Sequence, residues 1–154
     1  MLKIFNSFIL LSFFMLGSTF AEILKPNETI VPKKVVKIQL DGLKKNDFSY
    51  KDQGIEQTWE FAHPNNKAST GPLERFKKMI YSDSYKILIE HENNKIIILE
   101  ELENKLVYKV NILSKDKKRY YYIWQIEKVE QEGILKDCWM TTGVSDPIYL
   151  GETI

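Results

Sequence analysis

The chain has 154 residues, with 22 lysines and arginines against 21 aspartates and glutamates, 44% hydrophobic residues and one cysteine. Near-neutral charge argues against a nucleic-acid-binding surface, which needs a basic stripe. A lone cysteine excludes an internal disulfide, and the length suits one domain around a single core.

The first twenty-one residues carry a single charge, Lys3, followed by an apolar run from Phe8 to Leu16. Gly17 and Ser18 break the run, and Thr19-Phe20-Ala21 sets small residues three and one positions before Glu22. This is the order of a secretory signal peptide cut after Ala21. The alternative is a retained anchor, but the apolar run is far shorter than the ~20 residues that span a bilayer. No cysteine follows the small residues, so lipid attachment is excluded. The expected product is an exported protein, periplasmic or extracellular, with 133 residues and zero net charge. Nothing after residue 21 is apolar enough for stable membrane insertion. Residues 22–30 read as a leader, with the glycosylation-like triplet Asn27-Glu28-Thr29.

A first helix is predicted from Pro32 to about Asn46, because Val36, Leu40 and Leu43 recur at helical spacing and proline suits the first turn. Asp52 is placed to cap a second helix, Gln53 to Phe61, that buries Ile55 and Trp59. His63-Pro64 ends it, since the residue before proline is pushed out of helical geometry. A polar turn, Asn65 to Ser69, is expected next. A third helix then starts at Gly71-Pro72, with Glu74 near its positive end and Leu73, Phe76, Met79 and Ile80 on one face.

Beyond Ser82-Asp83-Ser84 the hydrophobic period becomes two. Strands are predicted over Lys86 to His91, Lys95 to Leu102, Lys105 to Leu113, Arg119 to Val129 and Ile134 to Thr142, separated by short polar turns. Tyr120, Tyr122, Trp124 and Ile126 share one face of the fourth. Tyr121 and Ile123 make its other face apolar too, which is compatible with a homodimer. Helices followed by strands imply an α+β fold, with N-terminal helices packed on a curved antiparallel sheet of about five strands. The domain is expected over residues 31–145, with 146–154 as a tail.

Val36-Lys37-Ile38-Gln39-Leu40, Trp59-Glu60-Phe61-Ala62-His63-Pro64-Asn65-Asn66, Thr70-Gly71-Pro72-Leu73-Glu74-Arg75-Phe76, Tyr122-Ile123-Trp124 and Cys138-Trp139-Met140 occur in this order. Together they resemble domain-of-unknown-function family 4864. The resemblance marks Phe61, Pro64, Asn66, Thr70, Gly71, Pro72, Glu74, Arg75 and Cys138 as structural motif positions. It also implies similarity to the cone-shaped folds of the nuclear transport factor 2-like superfamily. In that superfamily, a hollow between helices and sheet serves isomerase, dehydratase or cyclase chemistry in some members. The family brings no activity, so it assigns no catalytic residue.

Acid/base chemistry in such a hollow needs an aspartate, histidine or tyrosine inside it. The candidates are Asp137, read as lying on the last strand beside Trp139, and His63. His63 is more simply read as satisfying a helix C-terminal carbonyl, and His91 as solvated beside a turn. Glu74 and Arg75 are expected to anchor to Asn66. Cys138 is read as a buried small hydrophobe. No His/Cys/Asp spacing suits a metal, and no glycine loop suits a phosphate-bearing cofactor, so neither is expected. Candidate pocket residues are the aromatics Trp59, Phe76, Tyr120, Tyr122, Trp124 and Trp139. The sequence therefore favours a binding module for a small apolar molecule or a protein partner. The alternative is an isomerase- or hydratase-type enzyme.

Overall fold

The computed structural model describes residues 22–152. The expected signal peptide, residues 1–21, lies outside them. Four helices come first: α1 Pro32–Lys44, α2 Gln53–Glu60, α3 Pro64–Thr70 and α4 Leu73–Ile80. A 3-10 turn at Lys86–Leu88 leads into strands β1 Asn93–Glu101, β2 Lys105–Leu113, β3 Lys118–Lys128, β4 Trp139–Val144 and β5 Ile148–Glu152. The class is α+β, with the helices packed on an antiparallel five-stranded sheet in the order β1-β2-β3-β4. β4 and β5 both pair with β3, β4 along Trp124–Lys128 and β5 along Lys118–Tyr121. They behave as one strand broken at Ser145, whose hydroxyl accepts the Ile123 N–H at 2.9 Å. Bulges in β1 and on both partners of β3 curve the sheet.

The core forms where the apolar stripe of α1 meets the inward faces of β2 and β3. Val36, Leu40 and Leu43 are fully buried with Val110, Tyr122, Trp124 and Ile126. α1 and α2 approach closely through glycines: a Cβ on Gly54 would lie 2.0 Å from the Gly42 carbonyl oxygen. Asn46 starts α2 in place of the expected Asp52, which has a left-handed backbone and no side-chain capping bond. The Asn46 carbonyl accepts the Gly54 N–H at 2.9 Å, and its Oδ1 accepts the Ile55 N–H at 3.0 Å. These satisfy donors that a helix start leaves without partners.

Several local expectations are corrected. Asn65 to Ser69 is helical, because Pro64 is well suited to a first helical turn and His63 Nδ1 accepts the Asn65 N–H at 3.2 Å. His63 thus caps the start of α3 and does not serve the end of α2. Pro72 precedes α4 in extended conformation, joined to Gly71 by a cis peptide bond. Lys86 to His91 is no strand. Its backbone continues tight turns from Ser82, and Glu90 N–H donates to the Leu43 carbonyl at 3.1 Å, so Leu88 packs against α1. His91 is buried rather than solvated: Nδ1 meets the Leu88 carbonyl at 2.8 Å and Nε2 meets the Asn94 amide at 2.8 Å.

The last expected strand starts late, since Gly133 to Asp137 fold into turns and Asp137 has φ 60°. The expected tail supplies β5, and residues of the expected leader pack on the helices. Leu24 exchanges two hydrogen bonds with the Gln57 side chain, at 2.8 and 2.9 Å.

Candidate functional site

A cavity of about 390 Å³ opens between the helices and the β4 side of the sheet. Its apolar walls come from Leu43 on α1, Phe76, Met79 and Ile80 on α4, and Leu88, Tyr85 and Val144. Asn65, Asn66, Ser69 and Thr70 of α3, with Thr142 and Gly143 of β4, form its polar side. Among the described residues, no aspartate, glutamate, histidine, lysine, arginine or cysteine lines it. The size falls within the ~300–1,000 Å³ usual for small-molecule sites.

Its floor is a buried polar network centred on Thr141. The Thr141 hydroxyl donates to Gln39 Oε1 at 2.6 Å, and Trp124 Nε1–H lies 3.1 Å from that hydroxyl and 3.2 Å from Gln39 Oε1. Gln39 Nε2 donates to the Thr58 carbonyl at 3.1 Å, and the Thr58 hydroxyl donates to the Gly54 carbonyl at 2.8 Å. The Thr141 backbone joins the helical layer as well. Its N–H donates to the Phe61 carbonyl at 2.8 Å, and its carbonyl accepts from His63 N–H at 2.8 Å and Asn66 Nδ2 at 3.1 Å. Each of the Gln39, Thr58, Trp124 and Thr141 side chains in this network therefore has a partner, which fixes α1, α2 and α3 on β4.

Among the described residues, Tyr85 is the lining group that can ionise. Its hydroxyl donates to the Val144 carbonyl at 3.0 Å, and burial raises its pKa, so it stays protonated. Burial likewise pushes Tyr122 upward; its hydroxyl donates to the Ser84 carbonyl at 2.7 Å.

The sequence candidates divide. Phe76 and Trp124 line the cavity. Tyr122 lies behind Tyr85, with ring centroids 6.4 Å apart, and Tyr120 packs on Tyr149 of β5 at 5.4 Å. Trp59 packs on Phe76 at 5.0 Å and on Lys67, away from the lining. Trp139 sits under Lys128, whose ammonium is 5.2 Å from its ring. His63 and Asp137 are both absent from the lining: His63 is buried with a pKa lowered by burial, and Asp137 is exposed in the turn before β4. Gln39, Thr58 and Thr141 escaped the sequence reading. Gln39 carried a usable signal, as a polar residue three positions after Val36 and four before Leu43 on the buried stripe.

The profile of a family described as a domain of unknown function (DUF4864) matches residues 25–144. The chain belongs to this family. No curated protein and no solved structure matches it. In this DUF4864 chain two of the expected motif positions reach the cavity. Asn66 and Thr70 stand on its polar side, with the Thr70 hydroxyl donating to the Asn66 carbonyl at 2.8 Å. A Cβ on Gly71 would come within 2.8 Å of the Trp59 ring, so this glycine lets that ring close over the α3–α4 junction. Phe61 is fully buried, and Pro64 opens α3. The expected Glu74–Arg75 anchor to Asn66 does not form: both residues are exposed, and Glu74 pairs with Lys77 at 3.5 Å. Asn66 bonds the Thr141 carbonyl because α3 lies against β4, while Glu74 and Arg75 point away from that contact. Cys138 is buried with Val129 and Met140, and burial raises its thiol pKa. Among the described residues there is no cluster of potential metal ligands and no helix long and apolar enough to cross a membrane.

Proposed function

We propose that this protein is a non-catalytic module that holds a small, uncharged, largely apolar molecule in the cavity between its helices and sheet. The observation that carries this reading is the lining: apolar walls, a polar side of amide and hydroxyl groups, and no formally charged side chain among the described residues. Burying a charged ligand there would cost far more than neutral polar groups return. The saturated Gln39–Thr141–Trp124 floor leaves the α3 side, with Asn65, Ser69 and Thr142, to orient a polar substituent.

Isomerase or hydratase chemistry is less well supported, because neither His63 nor Asp137 is within the lining and the Tyr85 hydroxyl is committed to Val144. We further infer export through residues 1–21, on the charge, apolar run and small-residue order at the N-terminus. The succession of helices and then a curved sheet supports kinship with the nuclear transport factor 2-like cones.

The test is native purification from the host, followed by mass spectrometry of the extracted small molecules. A Ser69→Trp variant fills the mouth from an exposed helical position. The expected result is a neutral apolar compound, near stoichiometric in the natural protein and lost from the equally stable variant. Natural protein that carries nothing, or a charged compound retained in the variant, would overturn the reading.

A further inference from the structure

β1 is the long open edge of the sheet: it spans nine residues and, among the described residues, pairs with β2 alone. The β4 edge is covered differently, by a parallel bridge between Ala62 and Thr141. An unpaired row of backbone donors and acceptors is a template for another strand. Near its exposed end, Ile98 and Leu99 are 48% and 55% exposed.

The charges on this edge are self-complementary. Reading along Lys95-Ile96-Ile97-Ile98-Leu99-Glu100-Glu101, a cation stands at one end and two anions at the other, with four apolar residues between. The pairing with β2 fixes the faces. Lys95, Ile97 and Glu100 oppose Asn111, Lys109 and Val107 on the outer face, whereas Ile96, Ile98 and Glu101 oppose Val110, Tyr108 and Leu106 on the inner face. Leu99 is the bulged residue between them.

We propose that two copies of this chain pair antiparallel through β1, about a two-fold axis at Ile97. Ile97 then faces Ile97 of the second copy, and Ile96 faces its Ile98. With Leu99 as the extra residue, Lys95 stands opposite Glu100 and Asn94 opposite Glu101, every pair on a matching face of the joined sheet. The bulge supplies the one-residue offset that this register needs. A two-fold contact repeats each pair, so both Lys95–Glu100 pairs form or neither does. A foreign strand could use the same edge, but the internal match of charge and face selects a second copy.

The experiment is sedimentation equilibrium of the protein purified from its host, at concentrations up to roughly 100 μM. The natural protein is expected to be dimeric. Lys95→Glu and Glu100→Lys should each weaken dimerisation by about tenfold or more, because each replaces two attractive cross-strand pairs with two like-charged ones. The double reversal Lys95→Glu/Glu100→Lys should restore it, with circular dichroism unchanged throughout. A monomer at every concentration, a dimer indifferent to the single reversals, or failure of the double reversal to restore pairing would each overturn the proposal.

Discussion

Gly54→Ala tests whether the helical layer is held by close backbone approach. A methyl group there would lie 2.0 Å from the Gly42 oxygen, 2.5 Å from the Gly42 carbonyl carbon and 2.8 Å from Asn46 Cα. All three are backbone atoms, so no rotamer change relieves the clash. Reaching ordinary contact requires the start of α2 to move by more than 1 Å. That movement stretches both bonds that Asn46 makes to the Gly54 and Ile55 N–H groups.

Overpacking costs about 1–3 kcal/mol, and two weakened hydrogen bonds add about 1 kcal/mol each. Against this, alanine gains up to ~1 kcal/mol over glycine in a helix. The net loss is about 3 kcal/mol, a shift of roughly 1.5–2 M in the urea midpoint for a domain of this size. Gly42→Ala should cost about 1 kcal/mol or less, since its new methyl would meet the Gly54 oxygen at 3.2 Å. Gly143→Ala has nothing within 4 Å and serves as the control. If Gly54→Ala and Gly143→Ala unfold at the same urea concentration, the close-approach argument fails.

Three other outcomes are expected. His63 and His91 are both held below the usual imidazole value of 6.5 by burial, so the unfolded chain binds more protons just below that pH. Stability should be full above about pH 6.5 and fall as pH drops through the folded pKa values, by at most about 2.7 kcal/mol per pH unit with both rings contributing; a flat urea midpoint between pH 7 and 5 would contradict this. Gln39→Leu and Trp124→Phe share the Thr141 network, so in a double-mutant cycle the pair should cost less than the sum of the singles, by about 1 kcal/mol; strict additivity would mean that the three groups act separately. An uncharged naphthylamine dye should bind the cavity at least about tenfold more tightly than its sulfonated analogue, read by fluorescence titration; equal binding would place the dye site elsewhere.

Local pattern carried much of this architecture. The stripe Val36, Leu40, Leu43 announced α1, and the alternation of Leu106, Tyr108, Val110 and Ile112 announced β2, because each reports a period set by its own backbone. The inward set Tyr120, Tyr122, Trp124 and Ile126 was also legible, since each lies opposite an inward residue of β2. What the pattern could not reveal depended on distant partners. Lys86 to His91 holds the strand-prone run Ile87-Leu88-Ile89, yet the Leu43 carbonyl captures its backbone. Ile148 to Glu152 looks like a short tail, but Lys118 to Tyr121 offers it an edge to pair with. Among the pocket candidates, Phe76 and Trp124 reach the cavity while Tyr120 and Tyr122 do not, a distinction set by the rings of Tyr149 and Tyr85 that pack on them. Thr141 gave no local sign that it joins three helices to the sheet.

The shared edge of β3 bears on where this domain can be cut. The family match ends at residue 144, one position before the break between β4 and β5. A chain trimmed there would keep every cavity residue but strip Lys118–Tyr121 of its neighbour and Tyr120 of the ring that covers it. The truncated protein would carry a fresh sticky margin, and clumping seen in such a fragment would report the scissors rather than the molecule.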